Sequence, residues 1–189
     1  MLPVLTVIVA LTVASLPMAA SAQSNLLLNP DLTQGVNGVP ANWQPESWLA
    51  GQSPSYKSPF AWLPQENPSE LEVQNPAPDD ARWVQTIHLD PGWYHFTAEV
   101  RTSGVGTAVS GANLSILQGW IGSRDVRGTS DWQPIGFFLQ VVRPGGADLT
   151  LAARLGNYGS LNTGAAFFRN LTATIVDGPT AGGDPAFQY

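Results

Sequence analysis

The chain has 189 residues, 12% of them charged, with 8 Lys+Arg against 14 Asp+Glu for a formal charge of −6, and no cysteine. One lysine, Lys57, and scattered arginines cannot replace the counterions of a phosphate backbone, so a nucleic-acid partner is excluded, and the lack of cysteine removes disulfides, thiolate zinc sites and cysteine nucleophiles together. Seven Trp beside 19 Gly and 16 Pro point to a single turn-rich, all-β domain rather than a helical bundle.

Residues 1–22 carry no charged side chain. An apolar run at 4–16 leads to Ala20-Ser21-Ala22, the small-residue pattern at which signal peptidase cuts. The run is short for a membrane span of roughly 20 residues, so 1–22 reads as a signal peptide, with a retained anchor as the alternative. The expected product is secreted or periplasmic, with no membrane attachment after cleavage. Its domain spans 23–177, and a Gly/Pro-rich flexible tail occupies 178–189.

Period-two alternation then recurs along the chain between turn signals. Residues 26–28 read as a strand closed by Asn29-Pro30, and short pieces follow at 42–49 and 71–73. Residues 82–89 alternate and stop at Asp90-Pro91-Gly92, a strong turn signal. Residues 93–101 give the clearest strand: Tyr94, Phe96, Ala98 and Val100 take one face, His95, Thr97, Glu99 and Arg101 the other. Further strands are expected at 112–117, 135–142, 149–155 and 165–176, with no helical stripe anywhere. About eight such strands predict an antiparallel β-sandwich or jelly roll. Ile135, Phe137, Leu139, Leu149, Leu151, Ala153, Leu155, Ala166 and Phe168 join the core, as does Gln85, which shares parity with Ile87 and Leu89.

Catalytic patterns are missing. The two histidines, His88 and His95, lie outside any ligand spacing, and there is no GxSxG, P-loop or GxGxxG. Asp79-Asp80 are neighbours in an expected Pro-flanked loop and read as solvated or turn-forming. Glu99 and Arg101 share a strand face and can pair. The chain is therefore expected not to be an enzyme.

Four motifs occur in order. They are Asn25-Leu26-Leu27-Leu28-Asn29-Pro30-Asp31-Leu32 with Gly38-Val39-Pro40-Ala41-Asn42-Trp43; the run from Gln85 through Pro91-Gly92 and Tyr94 to Arg101; Gly128-Thr129-Ser130-Asp131-Trp132; and Gly164-Ala165-Ala166-Phe167-Phe168-Arg169-Asn170-Leu171. With these the chain resembles carbohydrate-binding modules of the family 4, 9 and 22 kind, in the galactose-binding-like β-jelly-roll superfamily. The resemblance implies two opposed antiparallel sheets, one of them concave and able to line a glycan cleft. It puts Trp43 and Trp132 at structural positions. The polar parity, His95, Thr97, Glu99 and Arg101 with Asn113 and Arg154, suits sugar hydroxyls, which need planar donors and acceptors. Trp48, Trp62, Trp83, Trp120 and Tyr158 are candidate aromatic platforms. The family's structural calcium uses two carboxylates whose positions here hold Thr33 and Arg169, so that site is expected to be lost or reshaped, leaving no cofactor.

Three readings follow. The first is a non-catalytic module that binds a glycan or polysaccharide or recognises a cell surface. The second is a structural or adhesion module with a protein partner, and the third a small jelly-roll hydrolase. Aromatics aligned with polar groups favour sugar, a flat apolar patch favours a protein partner, and two carboxylates at hydrolytic spacing favour an enzyme.

Overall fold

The computed structural model describes residues 24–53, 55–57, 59–181 and 183–189. The expected signal peptide at 1–22 lies outside them. Strands β1 (Gly35–Val36) and β2 (Val39–Pro40) form a small hairpin. Asn37 and Gly38 turn it with φ of 53° and 78°, the pair of left-handed conformations that an Asn-Gly hairpin turn requires.

The remaining strands build two facing sheets. One has five strands: β3 (Gln44–Ser47), β6 (Ala81–Leu89), β11 (Ala147–Leu155), β8 (Ala112–Ile116) and β9 (Ile121–Gly122), in that spatial order. The other has six: β13 (Ala186–Gln188), β10 (Gly128–Val141), β7 (Gly92–Val105), β12 (Asn162–Val176), β5 (Glu70–Asp79) and β4 (Phe60–Leu63). Every pairing is antiparallel except that of β13 with β10. This is the all-β sandwich that the alternation predicts.

Between the sheets lies one apolar cluster. Phe96 and Phe137 stack with centroids 4.8 Å apart, and Trp43, Leu71, Trp83, Leu139, Leu151 and Phe168 surround them, all fully buried. Trp43 takes the structural place the resemblance gives it. Gln85 is buried too, and its amide shows why a polar residue keeps core parity. Its Oε1 accepts from Leu28 N at 2.7 Å, while its Nε2 donates to Leu28 O at 2.9 Å and Asn42 O at 3.2 Å. The side chain thereby pairs the backbone of the incoming N-terminal segment, which forms no strand at 26–28 and instead docks by Leu26 N on Ala173 O.

Three other expectations are corrected. Residues 48–52 form a short helix, α1 (Trp48–Gln52), started by Ser47, whose side chain accepts from Ala50 N. Trp83 is no platform: it is 1% exposed and its Nε1 donates to Glu72 O at 2.9 Å. The flexible tail expected at 178–189 ends in β13, which pairs Ala186, Phe187 and Gln188 with Phe138, Leu139 and Gln140. Phe187 sets its ring edge-on to Phe137 at 6.3 Å, and Phe187 and Tyr189 pack against the core. The glycines and prolines ahead of that short alternating segment hide it in the sequence.

Candidate functional site

Parity reads correctly along each strand, but the sheets divide the expected polar face in two. His95, Thr97, Glu99 and Arg101 are on β7, in the six-stranded sheet, whereas Asn113 and Arg154 are on β8 and β11, in the five-stranded sheet. Outward side chains of the two sheets in a sandwich point in opposite directions, so these residues form no common site. Sheet membership depends on long-range pairing that one sequence does not display.

On the five-stranded sheet the register aligns Glu46, Arg82, Arg154 and Asn113 in a row across β3, β6, β11 and β8. Asp80 ties the row together. Its Oδ1 accepts from Arg154 Nε at 3.0 Å, and its Oδ2 accepts from Arg82 Nη1 at 2.9 Å and closely from Arg154 Nη2. Arg82 Nε donates to Glu46 Oε2 at 2.9 Å. At the far end Asn113 Nδ2 donates to Asp125 Oδ1 at 3.1 Å, and Asp125 Oδ2 accepts from Arg127 Nη2 at 2.6 Å. The expectation of a solvated Asp79-Asp80 pair is therefore wrong. Asp79 is 0% exposed and Asp80 1%, with Asp79 accepting from Ser47 Oγ, Leu49 N and Asp80 N. Spacing gave a signal for one of these contacts: Asp80 and Arg82 lie at i and i+2 of an extended segment.

Beside the charged row runs a floor of small side chains, Val84, Ala152, Ser115 and Gly122, aligned on four strands. Val84 and Ala152 lie outside the core cluster, on the outer side. Thr86 and Thr150 share a hydroxyl bond of 2.9 Å in the next row, where Gln118 donates to Thr150 Oγ1 at 3.2 Å. Beyond them His88 pairs with Asp148 at 2.8 Å.

Tyr158 rests on this face. Its ring lies over the Arg154 guanidinium at 4.9 Å and the Arg82 guanidinium at 5.9 Å, and its hydroxyl donates to Leu117 O at 3.4 Å. The residue stays 45% exposed. Trp120, at the β8–β9 turn, is 76% exposed. Beside Trp120 a recess of about 170 Å³ is lined by Asn113, Ser115, Asp125, Arg154, Asn157 and Phe187. Trp48 N donates to Asp80 O, which places half-exposed Trp48 at the β3 end of the charged row. Trp62 is elsewhere, on β4, with Nε1 donating to Leu32 O at 2.8 Å and the ring packed on the core edge. The sequence points to Arg154 and Asn113 by alternation and to Trp120 and Tyr158 as candidate platforms, but not to Asp80, Arg82, Thr86, Gln118 or Asp125.

The six-stranded sheet uses its polar residues differently. Trp132 is not core packing. Arg101 lies over the Phe167 ring at 4.0 Å and the Trp132 ring at 5.2 Å, and Arg169 covers Trp132 at 3.9 Å, giving an alternating cation–aromatic stack. Glu99 pairs with Arg169 at 2.7 Å and Arg101 with Glu70 at 3.4 Å, so the expected Glu99–Arg101 pair does not form. Thr97 bonds Thr172 at 2.7 Å, and His95 stacks on Phe138 at 4.0 Å while binding Asp184 of the C-terminal segment at 2.8 Å. Each of these groups is engaged within the fold.

Burial pushes the Glu72 carboxyl above its ordinary 4.5; nearby Arg101 opposes the shift and Glu70 adds to it. The native state thus binds this proton more tightly than the unfolded chain, and stability falls as pH rises from about 4.5 through the raised value. Glu72→Gln should consequently melt higher than the parent at pH 7, by up to a few degrees, with the gap closing in acid. Thermal melts at pH 7 and pH 4 check this; a lower melting temperature at pH 7 contradicts it.

The place where the resemblance implies a calcium does not suit that ion: Arg169 stands there paired with Glu99, and Thr33 brings no carboxylate. Among the described residues no three His, Cys, Asp or Glu side chains come together as a metal site, and calcium calls for six to eight oxygens, several of them anionic.

No family model matches the chain, and no curated protein sequence matches it. Solved structures do. A structure described as CBM4 aligns at 18% identity and TM-score 0.51 over 79% of this chain and 99% of its own. A CBM61 module in complex with β-1,4-galactotriose aligns at 16% identity and TM-score 0.51 over 81% and 99%. A cyclase from Fischerella sp. TAU aligns at 14% identity and TM-score 0.52 over 84% and 100%. The enzymatically active domain of tailspike protein 4 from bacteriophage CBA120 aligns at 12% identity and TM-score 0.54, and this chain covers only 21% of it. The chain has the β-sandwich fold of carbohydrate-binding modules, a fold that the cyclase shares over its whole length.

Proposed function

We propose that the protein is a secreted, non-catalytic carbohydrate-binding module that holds its glycan on the outer face of the five-stranded sheet. One observation carries this reading. The half-exposed Tyr158 ring lies over the Arg154 and Arg82 guanidinium groups, near exposed Trp120 and a floor of small residues. Sugar rings present C–H faces to aromatic platforms and hydroxyls to amide, hydroxyl and guanidinium groups. Gln118, Thr86 and Thr150 supply amide and hydroxyl groups here. The likeness to structures described as CBM4 and as CBM61 in complex with β-1,4-galactotriose supports a carbohydrate-binding role for the scaffold. Asp80 is committed to three arginine N–H groups, which supports a binding role over proton transfer.

Affinity electrophoresis of the full chain through gels containing xylan, β-1,4-galactan or mixed-linked β-glucan tests the proposal. At least one gel should retard the protein. Trp120→Ala, which removes no core contact, should weaken that retardation about tenfold, or about 1.4 kcal/mol. Parental retardation of the variant would contradict the placement, and free migration in every gel would contradict the function.

A further inference from the structure

We infer that the recess beside Trp120 receives a carboxylate, so that the glycan this face prefers carries uronic acid; the inference rests on the glycan-binding reading above. Arg154 lines the recess, is 1% exposed, and holds Asp80 along the Nε–Nη2 edge of its guanidinium. Its Nη1–Nη2 edge has no close partner, since Nη1 reaches only Ser115 Oγ at 3.5 Å. Ser115 lines the same recess, which puts that edge on its wall. Two parallel N–H groups of a planar fork are what a carboxylate takes with both oxygens.

The neighbouring groups are donors as well. Among the described residues, none accepts from the Ser115 hydroxyl or from Asn157 Nδ2, while Asn157 Oδ1 is taken by Tyr158 N at 2.8 Å. The acid in the recess is already matched: Asp125 accepts from Asn113 Nδ2 at 3.1 Å on one oxygen and from Arg127 Nη2 at 2.6 Å on the other. A surplus of donors selects a ligand rich in acceptors, and an ionised carboxylate carries acceptors alone.

The charges agree with this. Arg82 and Arg154, with side chains 13% and 1% exposed, share one buried carboxylate, that of Asp80. Glu46, the other acid bound to Arg82, is 43% exposed and screened by water. Two buried guanidinium groups against one buried carboxylate leave a positive charge for a ligand anion to meet at short range. A neutral hydroxyl can accept from the same edge but brings no charge to it. The chain as a whole carries −6, so long-range attraction does not favour an acidic polymer, and a preference for one reports this contact.

Affinity electrophoresis of the full chain compares glucuronoxylan with the same polymer after reduction of its uronate carboxyl groups to hydroxymethyl groups. The native polymer should retard the parent at least about tenfold more strongly, the effect expected of one charge-assisted bidentate contact. Arg154→Lys keeps a charge opposite Asp80 but has no planar fork, and Ser115→Asp brings a carboxylate of the chain itself to the open edge. In each variant the preference for the native polymer should vanish. Ser103→Asp makes the same charge change as Ser115→Asp at an exposed position on β7, in the other sheet, and should keep the parental preference. Melting curves show which variants are folded, and the parent's own preference decides the matter if Arg154→Lys is not. Equal retardation of the parent by the two polymers, or retardation by neutral polymers alone, overturns the inference and leaves glycan binding standing. A preference that survives in folded Arg154→Lys or Ser115→Asp, or is lost equally in Ser103→Asp, overturns it as well. Free migration of the parent in every gel, acidic or neutral, overturns the glycan-binding reading itself.

Discussion

Arg154→Ala is expected to lower stability by about 3–5 kcal/mol, because it leaves the Asp80 carboxylate buried without its principal partner. The side chains of Arg154 and Asp80 are 1% and 2% exposed, and Arg82 Nη1 alone would remain on the acid. For a domain of this size that corresponds to a fall in melting temperature of roughly 6–20 °C. Replacing the pair together, Arg154→Met with Asp80→Asn, should recover much of the loss, since no buried charge is then stranded. Thermal melts and urea unfolding at pH 7 check both. A cost below about 1 kcal/mol for Arg154→Ala would show that water reaches the pair and that the row is not desolvated. On sequence parity alone Arg154 reads as an outward ligand donor that can be removed without unfolding the domain, and the burial of Asp80 reverses that expectation.

The largest expected effect on binding is that of Tyr158→Ala. Its ring lies over both Arg154 and Arg82 of the charged row, so its removal should cut polysaccharide retention by more than tenfold. Half of the residue is exposed, and the melting temperature should change by no more than a few degrees. Tyr158→Phe keeps the ring and gives up only the long bond to Leu117 O, so it should bind like the parent. If the alanine variant binds unchanged, or the phenylalanine variant fails as badly, the ring is not the platform.

Much of the fold is legible in local alternation, because each strand buries one face and exposes the other. Tyr94, Phe96, Ala98 and Val100 face the core as their spacing requires, and so do Leu149, Leu151, Ala153 and Leu155. The four motifs lead to the same sandwich. What alternation does not carry is which strands share a sheet. Arg101 and Arg154 have the same outward parity yet lie on opposite faces of the molecule, one stacked between Phe167 and Trp132, the other bound by Asp80. Burial of acids is hidden for the same reason. Asp79 and Asp80 follow a proline-rich stretch in sequence, and the approach of Ser47, Leu49, Arg82 and Arg154 encloses them. Aromatic residues were the least readable. Trp43, Trp83, Trp120 and Trp132 differ little in their flanks, but their fates run from complete burial to 76% exposure.

The central claim is that a glycan occupies the outer face of the five-stranded sheet. Amide chemical-shift mapping tests it most directly, with the full chain titrated by an oligosaccharide of whichever polysaccharide retards it. The account predicts that the perturbed amides cluster at Ser115, Trp120, Thr150, Ala152 and Tyr158. Perturbations gathered instead at Thr97, Glu99 and Thr172, on the six-stranded sheet, would contradict it.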